Sequence, residues 1–181
     1  GTDPYASAVY AKAAENLGRM LSEGILVRDA EPVFYVYRLI HGAHEQIGIV
    51  GAASIADYDI NRIRKHEFTR PDKEDDRVRQ IEALNAQTGP VLLAYPRAPL
   101  VDAMLADAAR AEPIANVVTD TGARHTLWKI ADAASIDSLA RSFAAMPALY
   151  IADGHHRSAA ASRVAASRRA ANAGHTGGES Y

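Results

Sequence analysis

The chain has 181 residues, which is enough for one domain or two small ones and for a sizeable buried core. Hydrophobic residues make up 48% and charged residues 23%. These proportions are typical of a folded globular protein and argue against disorder of the whole chain. The net charge of −2 provides no global attraction to DNA or to acidic membranes, so a nucleic-acid partner is not expected.

The chain contains no cysteine, which excludes disulfide bonds, thiolate zinc sites and a cysteine nucleophile. Its apolar runs are shorter than the roughly 18 residues that a membrane span needs, and no signal peptide opens it. We therefore expect a cytoplasmic protein without a membrane partner. The sequence does not determine its oligomeric state. The first residue is Gly1, and residues 177–181 read as a loop that enters another element, so we expect a fragment of a longer polypeptide.

The first half of the chain predicts helices around a β-hairpin. Apolar residues recur at helical spacing from Pro4 to Ser22. Two aromatic and β-branched runs, at 33–40 and 46–53, predict the hairpin. Three further elements are expected: a turn-rich segment at 57–70, a short helix from about 70 to 87, and a buried strand at 91–95.

The second half predicts two more helices, another hairpin and a strand that leads into a long helix. The expected elements are a helix at 99–111, a hairpin at 114–130 that turns at 120–122, a helix at 133–145, a strand at 148–152 and a helix from 155 to about 171. Hairpins mixed with crossovers favour an α+β fold with a mixed sheet and flanking helices. We expect a single domain over residues 1–181, because no linker interrupts it.

The sharpest local feature is the predicted strand, turn and helix at 148–164. Six residues lie where the strand meets the helix: Asp153, Gly154, His155, His156, Arg157 and Ser158. Free backbone N–H groups and the helix dipole favour an anion there, and Arg157 can bind a phosphate bidentately. The sequence therefore predicts a phosphate site. The alternative is that Asp153 caps the helix and the histidines face solvent.

A second polar cluster spans residues 61–70, where Glu67 follows His66 and is flanked by several cations. A glutamate in such surroundings can act as a general base or hold a metal–nucleotide complex. The alternative is a solvated surface turn. The pair is not a zinc-protease motif, because Arg70 stands four residues after His66 and supplies no second ligand.

The remaining motifs give weaker evidence of a functional site. The chain has no Gly-x-x-x-x-Gly-Lys-Ser/Thr loop and no Gly-x-Gly-x-x-Gly turn. His41 and His44 have a metal-like spacing but no third ligand nearby, so no metal site is assigned to protein side chains. The mixed-charge run at 70–79 is interpreted as a solvated helix face.

Three segments together resemble the family known as domain of unknown function 1015, over nearly the whole chain. They are Arg64-Lys65-His66-Glu67-Phe68-Thr69, the strand at 91–95, and the run from Leu149 to Arg157. The His-Glu turn followed by Asp-Gly-His-His-Arg also resembles the ParB/sulfiredoxin-like fold and, within it, the free serine kinases. The segment 97–146 would then be a helix, hairpin and helix inserted into that compact domain.

This resemblance implies a nucleotide-dependent kinase that phosphorylates a small hydroxylated metabolite, with free serine as one acceptor and with ATP or ADP and Mg²⁺ as cofactors. Glu67 would be the base, with His66 beside it, and residues 153–158 would hold the phosphates. Two alternatives stay open: a non-catalytic nucleotide-binding switch or ParB-like regulatory module, and a metal-dependent phosphohydrolase. The hydrolase would use four ligands: His66, Asp153, His155 and His156.

Overall fold

The computed structural model describes residues 3–172 and Gly174, so Gly1 and the loop predicted at 177–181 lie outside the described residues. Within that range the chain forms six helices and seven strands, which confirms the predicted α+β class. The helices are α1 (Ser7–Ser22), α2 (Ile55–Asp59), α3 (Pro71–Leu84), α4 (Pro99–Ala108), α5 (Ala133–Ala144) and α6 (His155–Ala171). The strands are β1 (Phe34–His41), β2 (His44–Val50), β3 (Ile63–Arg64), β4 (Leu92–Ala94), β5 (Ala115–Val118), β6 (Arg124–Ile130) and β7 (Leu149–Asp153).

The strands form two sheets, where the sequence predicted one mixed sheet. One sheet has the order β2-β1-β6-β5 and is antiparallel throughout. The other has the order β3-β7-β4, in which β3 is parallel to β7 and β4 is antiparallel to it. Only the smaller sheet is therefore mixed.

The chain divides into two compact units. The first unit consists of three segments, Gly1–Arg28, Ser54–Tyr95 and Ala148–Tyr181. The second consists of Asp29–Ala53 and Pro96–Pro147. The predicted insertion at 97–146 thus falls in the second unit, which also contains the β1–β2 hairpin. Among the described residues, no helix is both long and apolar enough to span a membrane.

The four-stranded sheet of the second unit is made of two hairpins, as predicted. The β1–β2 turn contains Gly42 at φ +58°, and the β5–β6 turn contains Gly122 at φ +81°, a backbone region that glycine adopts without strain. Val36 and Trp128 are buried on one face of this sheet. The Trp128 indole N–H donates to the carbonyl of Ala111 at 2.9 Å, which satisfies the one polar atom of the ring.

The first unit is built around β7, which lies at the centre of the three-stranded sheet. Ile151 of β7 is fully buried and packs in a core with Tyr58, Ile63 and Ala159. Helix α6 packs against α3 and α2. The predicted burial of the strand at 91–95 was wrong in part, because β4 is an edge strand and leaves Leu92 half exposed. The segment predicted as turn-rich, 57–70, contains the end of α2 and all of β3.

Candidate functional site

The phosphate site predicted at the junction of β7 and α6 has an open helix N-terminus. Strand β7 ends at Asp153, Gly154 is the N-cap at φ +101°, and α6 begins at His155, as predicted. Within the described chain no side chain caps α6, and the Ser158 N–H donates to the Gly154 carbonyl at 2.9 Å. The N–H groups of the three residues before Ser158 therefore have no intrahelical acceptor and are available to an anion.

The alternative interpretation of this junction was wrong for two of its residues. Asp153 does not cap α6: the N-cap is Gly154, and the Asp153 carboxylate forms an ion pair with Arg157. His155 does not face solvent, since its side chain is only 4% exposed. His156 is half buried, and its Nε2 accepts a hydrogen bond from the backbone N–H of Arg70 at 3.1 Å. This bond ties the start of α6 to the start of α3.

Two glycines make room for the side chain of Arg157. A Cβ on Gly154 would lie 3.0 Å from the Arg157 Nε and 3.1 Å from a methyl group of Val91. A Cβ on Gly89 would lie 3.0 Å from the Arg157 Cδ. In the structure, the side chain of Arg157 occupies the space beside both glycines, so a side chain at either position would meet it.

A cavity of about 660 Å³ opens at this junction, within the size range of small-molecule sites. Four cationic side chains line it, namely Arg70, Lys73, Arg77 and Arg157. Two carboxylates also line it, those of Glu67 and Asp153. We call it the basic cavity, because cations outnumber carboxylates two to one. This charge favours an anionic ligand.

The contribution of α3 to the basic cavity was missed, because the run at 70–79 was interpreted as a solvated helix face. The signal was present: positions 70, 73 and 77 fall on one side of a helix. Lys73 donates to the Tyr5 hydroxyl at 3.0 Å, and this hydrogen bond raises the pKa of Lys73. Arg77 lies 3.7 Å from Asp76 and donates to Gln80 at 2.9 Å. These local partners orient both cations.

The two sequence clusters meet at Glu67 and His155. Glu67 lies in the loop between β3 and α3, with its side chain 56% exposed. Its Oε2 lies 3.2 Å from the Nδ1 of His155, within hydrogen-bonding distance. The ring of His66 packs edge-on against that of His155, with 4.4 Å between the centroids. The residues predicted as catalytic therefore adjoin the predicted phosphate site.

A second cavity, of about 580 Å³, also borders this contact. It is lined by the loop from Lys65 to Thr69 and by residues of α2 and α6, including Tyr58 and Ser162. Glu67 and His155 line both cavities, so their contact marks the boundary between the two. The sequence did not predict the second cavity, which forms from segments about 100 positions apart in the chain.

Two other predictions concern residues that could bind ligands. Ser158, predicted as a phosphate-site residue, is not among the residues that line either cavity. Within residues 3–172 and Gly174, no group of three or more histidine, aspartate or glutamate side chains is placed to hold a metal ion. The four ligands of the phosphohydrolase alternative are therefore not gathered into a coordination centre.

Comparison with curated proteins and with solved structures finds no match to this chain. A family model described as protein of unknown function (DUF1015) matches residues 1–181. The match extends over both compact units and includes the loop that carries Glu67 and the junction that carries Arg157. This chain therefore belongs to the DUF1015 family of proteins of unknown function.

Proposed function

We propose that this protein is a kinase that transfers a phosphoryl group from an adenine nucleotide, ATP or ADP, to the hydroxyl of a small metabolite, with free serine as the first acceptor to test. One observation carries the proposal. The carboxylate of Glu67 lies at the boundary between a cavity suited to phosphates and a second cavity of comparable size. Phosphoryl transfer needs this arrangement of donor, base and acceptor.

The basic cavity has the groups that phosphates require. The open N-terminus of α6 offers backbone N–H donors, and Arg157 offers a fork of donors at the same end of the helix. Lys73 and Arg77 add positive charge from α3. A nucleotide with two or three phosphates carries several negative charges, and this cavity offers cations and N–H donors from α3 and α6 to neutralise them.

Glu67 has the chemistry of a general base for the acceptor. The acceptor hydroxyl, bound in the second cavity, gives its proton to the Glu67 carboxylate while its oxygen forms a bond to the terminal phosphorus. The bond between that phosphorus and the bridging oxygen breaks, and the shortened nucleotide leaves with the electron pair. ATP would yield ADP, and ADP would yield AMP.

Mg²⁺ fits this site as a partner of the phosphates. Magnesium in nucleotide sites is bound chiefly by phosphate oxygens and water, with one or two protein carboxylates. Asp153 is the carboxylate for this role, since it lines the basic cavity and its side chain is 72% exposed. When bound, the ion neutralises phosphate charge.

The test combines nucleotide binding with phosphoryl transfer. Calorimetry with ATP and ADP, with and without Mg²⁺, measures the affinity, and a transfer assay with serine and a panel of small alcohols measures the reaction. We expect Glu67→Gln to keep the nucleotide affinity and to lower the transfer rate by about 10²-fold or more, because an amide cannot accept the proton. Glu82→Gln, a change on α3 away from both cavities, is the matched control.

Two results would refute the proposal in different ways. Nucleotide binding without transfer to any acceptor would leave a non-catalytic nucleotide-binding module. No binding of ATP or ADP to the wild-type protein would remove the nucleotide role altogether.

A further inference from the structure

The contact between His155 and Glu67 joins a fixed residue to an exposed one. His155 is the first residue of α6, and its side chain is almost fully buried. Glu67 lies in a loop and is more than half exposed. A loop carboxylate with that exposure has several rotamers open to it, and the 3.2 Å contact with a buried ring favours one of them. The contact therefore orients Glu67.

The other ring nitrogen of His155 shows which tautomer fits the site. Its Nε2 is buried and has no hydrogen-bond partner among the described residues. A proton on Nε2 would leave a buried N–H donor without an acceptor, whereas a proton on Nδ1 can be donated to the Glu67 carboxylate 3.2 Å away. The ring of His66 packs edge-on against this imidazole.

We propose that His155 is the positioning residue for Glu67, acting as the neutral tautomer with its proton on Nδ1. His155 donates to Oε2 of Glu67, which leaves Oε1 free to accept the proton of the acceptor hydroxyl. This inference rests on the proposed function, because it assumes that Glu67 is the base. It gives the His155 side chain a role different from the phosphate contact that the sequence predicted.

In this proposal, the phosphate contact predicted at position 155 is made by the backbone N–H of His155 and not by its side chain. The backbone N–H of His155 belongs to the open first turn of α6, so it can serve an anion while the ring serves Glu67. The two roles use different atoms and predict different losses when the side chain changes. A ring that contacts phosphate would affect nucleotide affinity, and a ring that orients the base would affect kcat.

Two matched variants separate these roles. The side-chain nitrogen of asparagine can take the position of Nδ1, and that of glutamine the position of Nε2. We expect His155→Asn to keep kcat within about 5-fold of wild type and His155→Gln to lower it by about 10²-fold, with KM for the nucleotide unchanged in both. Equal kcat in the two variants, or a loss of nucleotide affinity with kcat intact, would overturn the proposal.

A second measurement needs neither activity nor a folded variant at position 155. The ¹⁵N chemical shifts of the imidazole nitrogens in wild-type protein report the tautomer of each of the seven histidines. We expect His155 with a protonated Nδ1 and a bare Nε2, and loss of this preference in Glu67→Ala. A protonated Nε2 in the wild type would refute the positioning role even in an active kinase. If His155 has the expected tautomer but no phosphoryl transfer is detected, only the proposed kinase function is refuted.

Discussion

Arg157 contacts several parts of the candidate site at once. Its stem packs beside Gly89 and Gly154, its guanidinium pairs with Asp153, and it lines the basic cavity. Its side chain is 29% exposed and paired with Asp153, which limits its rotamers, so less conformational entropy would be lost on binding a phosphate. The pair with Asp153 supplies a local acceptor, which a phosphate bound here would have to share or replace.

Replacement of Arg157 by alanine should therefore weaken ATP or ADP binding while leaving the fold intact. A charge-assisted hydrogen bond contributes about 1.5–3 kcal/mol, so we expect the Kd to rise by roughly 10- to 100-fold in calorimetry. Arg168→Ala, at the other end of α6, is the matched control and should bind like wild type. An Arg157→Ala variant within a few-fold of the parent affinity would contradict the phosphate role of this junction.

At the scale of elements, the basic cavity is the meeting point of two helices that present different groups. Helix α6 presents its open N-terminus, and α3 presents one face with Lys73 and Arg77. The first is a fixed partial charge that the backbone determines, whereas the second is a pair of at least partly exposed cations that salt screens. The two contributions can be separated by ionic strength.

Removal of the α3 cations should weaken nucleotide binding and make it less sensitive to salt. We expect the double variant Lys73→Gln/Arg77→Gln to lose several-fold in affinity at low ionic strength, with the difference from wild type shrinking as salt is added. The control is Lys12→Gln/Arg19→Gln on α1, which removes the same charge outside both cavities. An equal loss in the control would show a general charge effect and not a binding face.

The N-cap of α6 should tolerate no side chain. Gly154 combines φ +101° with a close approach to Val91 and Arg157, so Gly154→Ala should lower the free energy of unfolding by about 1–3 kcal/mol and displace the guanidinium. Gly18, inside α1 with open space around it, is the matched control. Gly18→Ala should stabilise the protein by about 0.5–1 kcal/mol. Urea unfolding measures both, and an unchanged Gly154→Ala variant would contradict the strain argument.

At the scale of the whole molecule, the candidate site belongs entirely to the first compact unit. Glu67 comes from its middle segment, and Asp153, His155 and Arg157 come from its last one. The four-stranded sheet of β1, β2, β5 and β6 belongs to the second unit. Nucleotide binding should therefore stabilise the two units to different degrees.

Hydrogen exchange with and without nucleotide measures this difference. At one hundred times its Kd a ligand stabilises the state that binds it by about 2.7 kcal/mol, so we expect slower exchange in α3, β7 and α6 when ATP and Mg²⁺ are added. Exchange in β1 and β6 should change less. Equal protection of both sheets would contradict a ligand effect confined to the first unit, and no protection anywhere would contradict nucleotide binding.

The sequence by itself determined the local structure of this protein. Both hairpins, the start of α6 at His155 and the polar junction from Asp153 to Arg157 follow from side-chain periodicity and turn residues, which act between near neighbours in the chain. The resemblance carried by the His-Glu turn and the Asp-Gly-His-His-Arg run led to the family that the full-length match shows.

Only the tertiary structure decided which of these local pieces meet. The division of the strands into two sheets, the turn of the α3 cations toward α6, and the contact of Glu67 with the buried ring of His155 all join segments far apart in the chain. Such contacts depend on how helices and sheets pack, and the 3.6-residue period of α3 shows that Lys73 and Arg77 share a face without showing what that face meets. Packing therefore brought Glu67, the junction of β7 and α6, and the second cavity together.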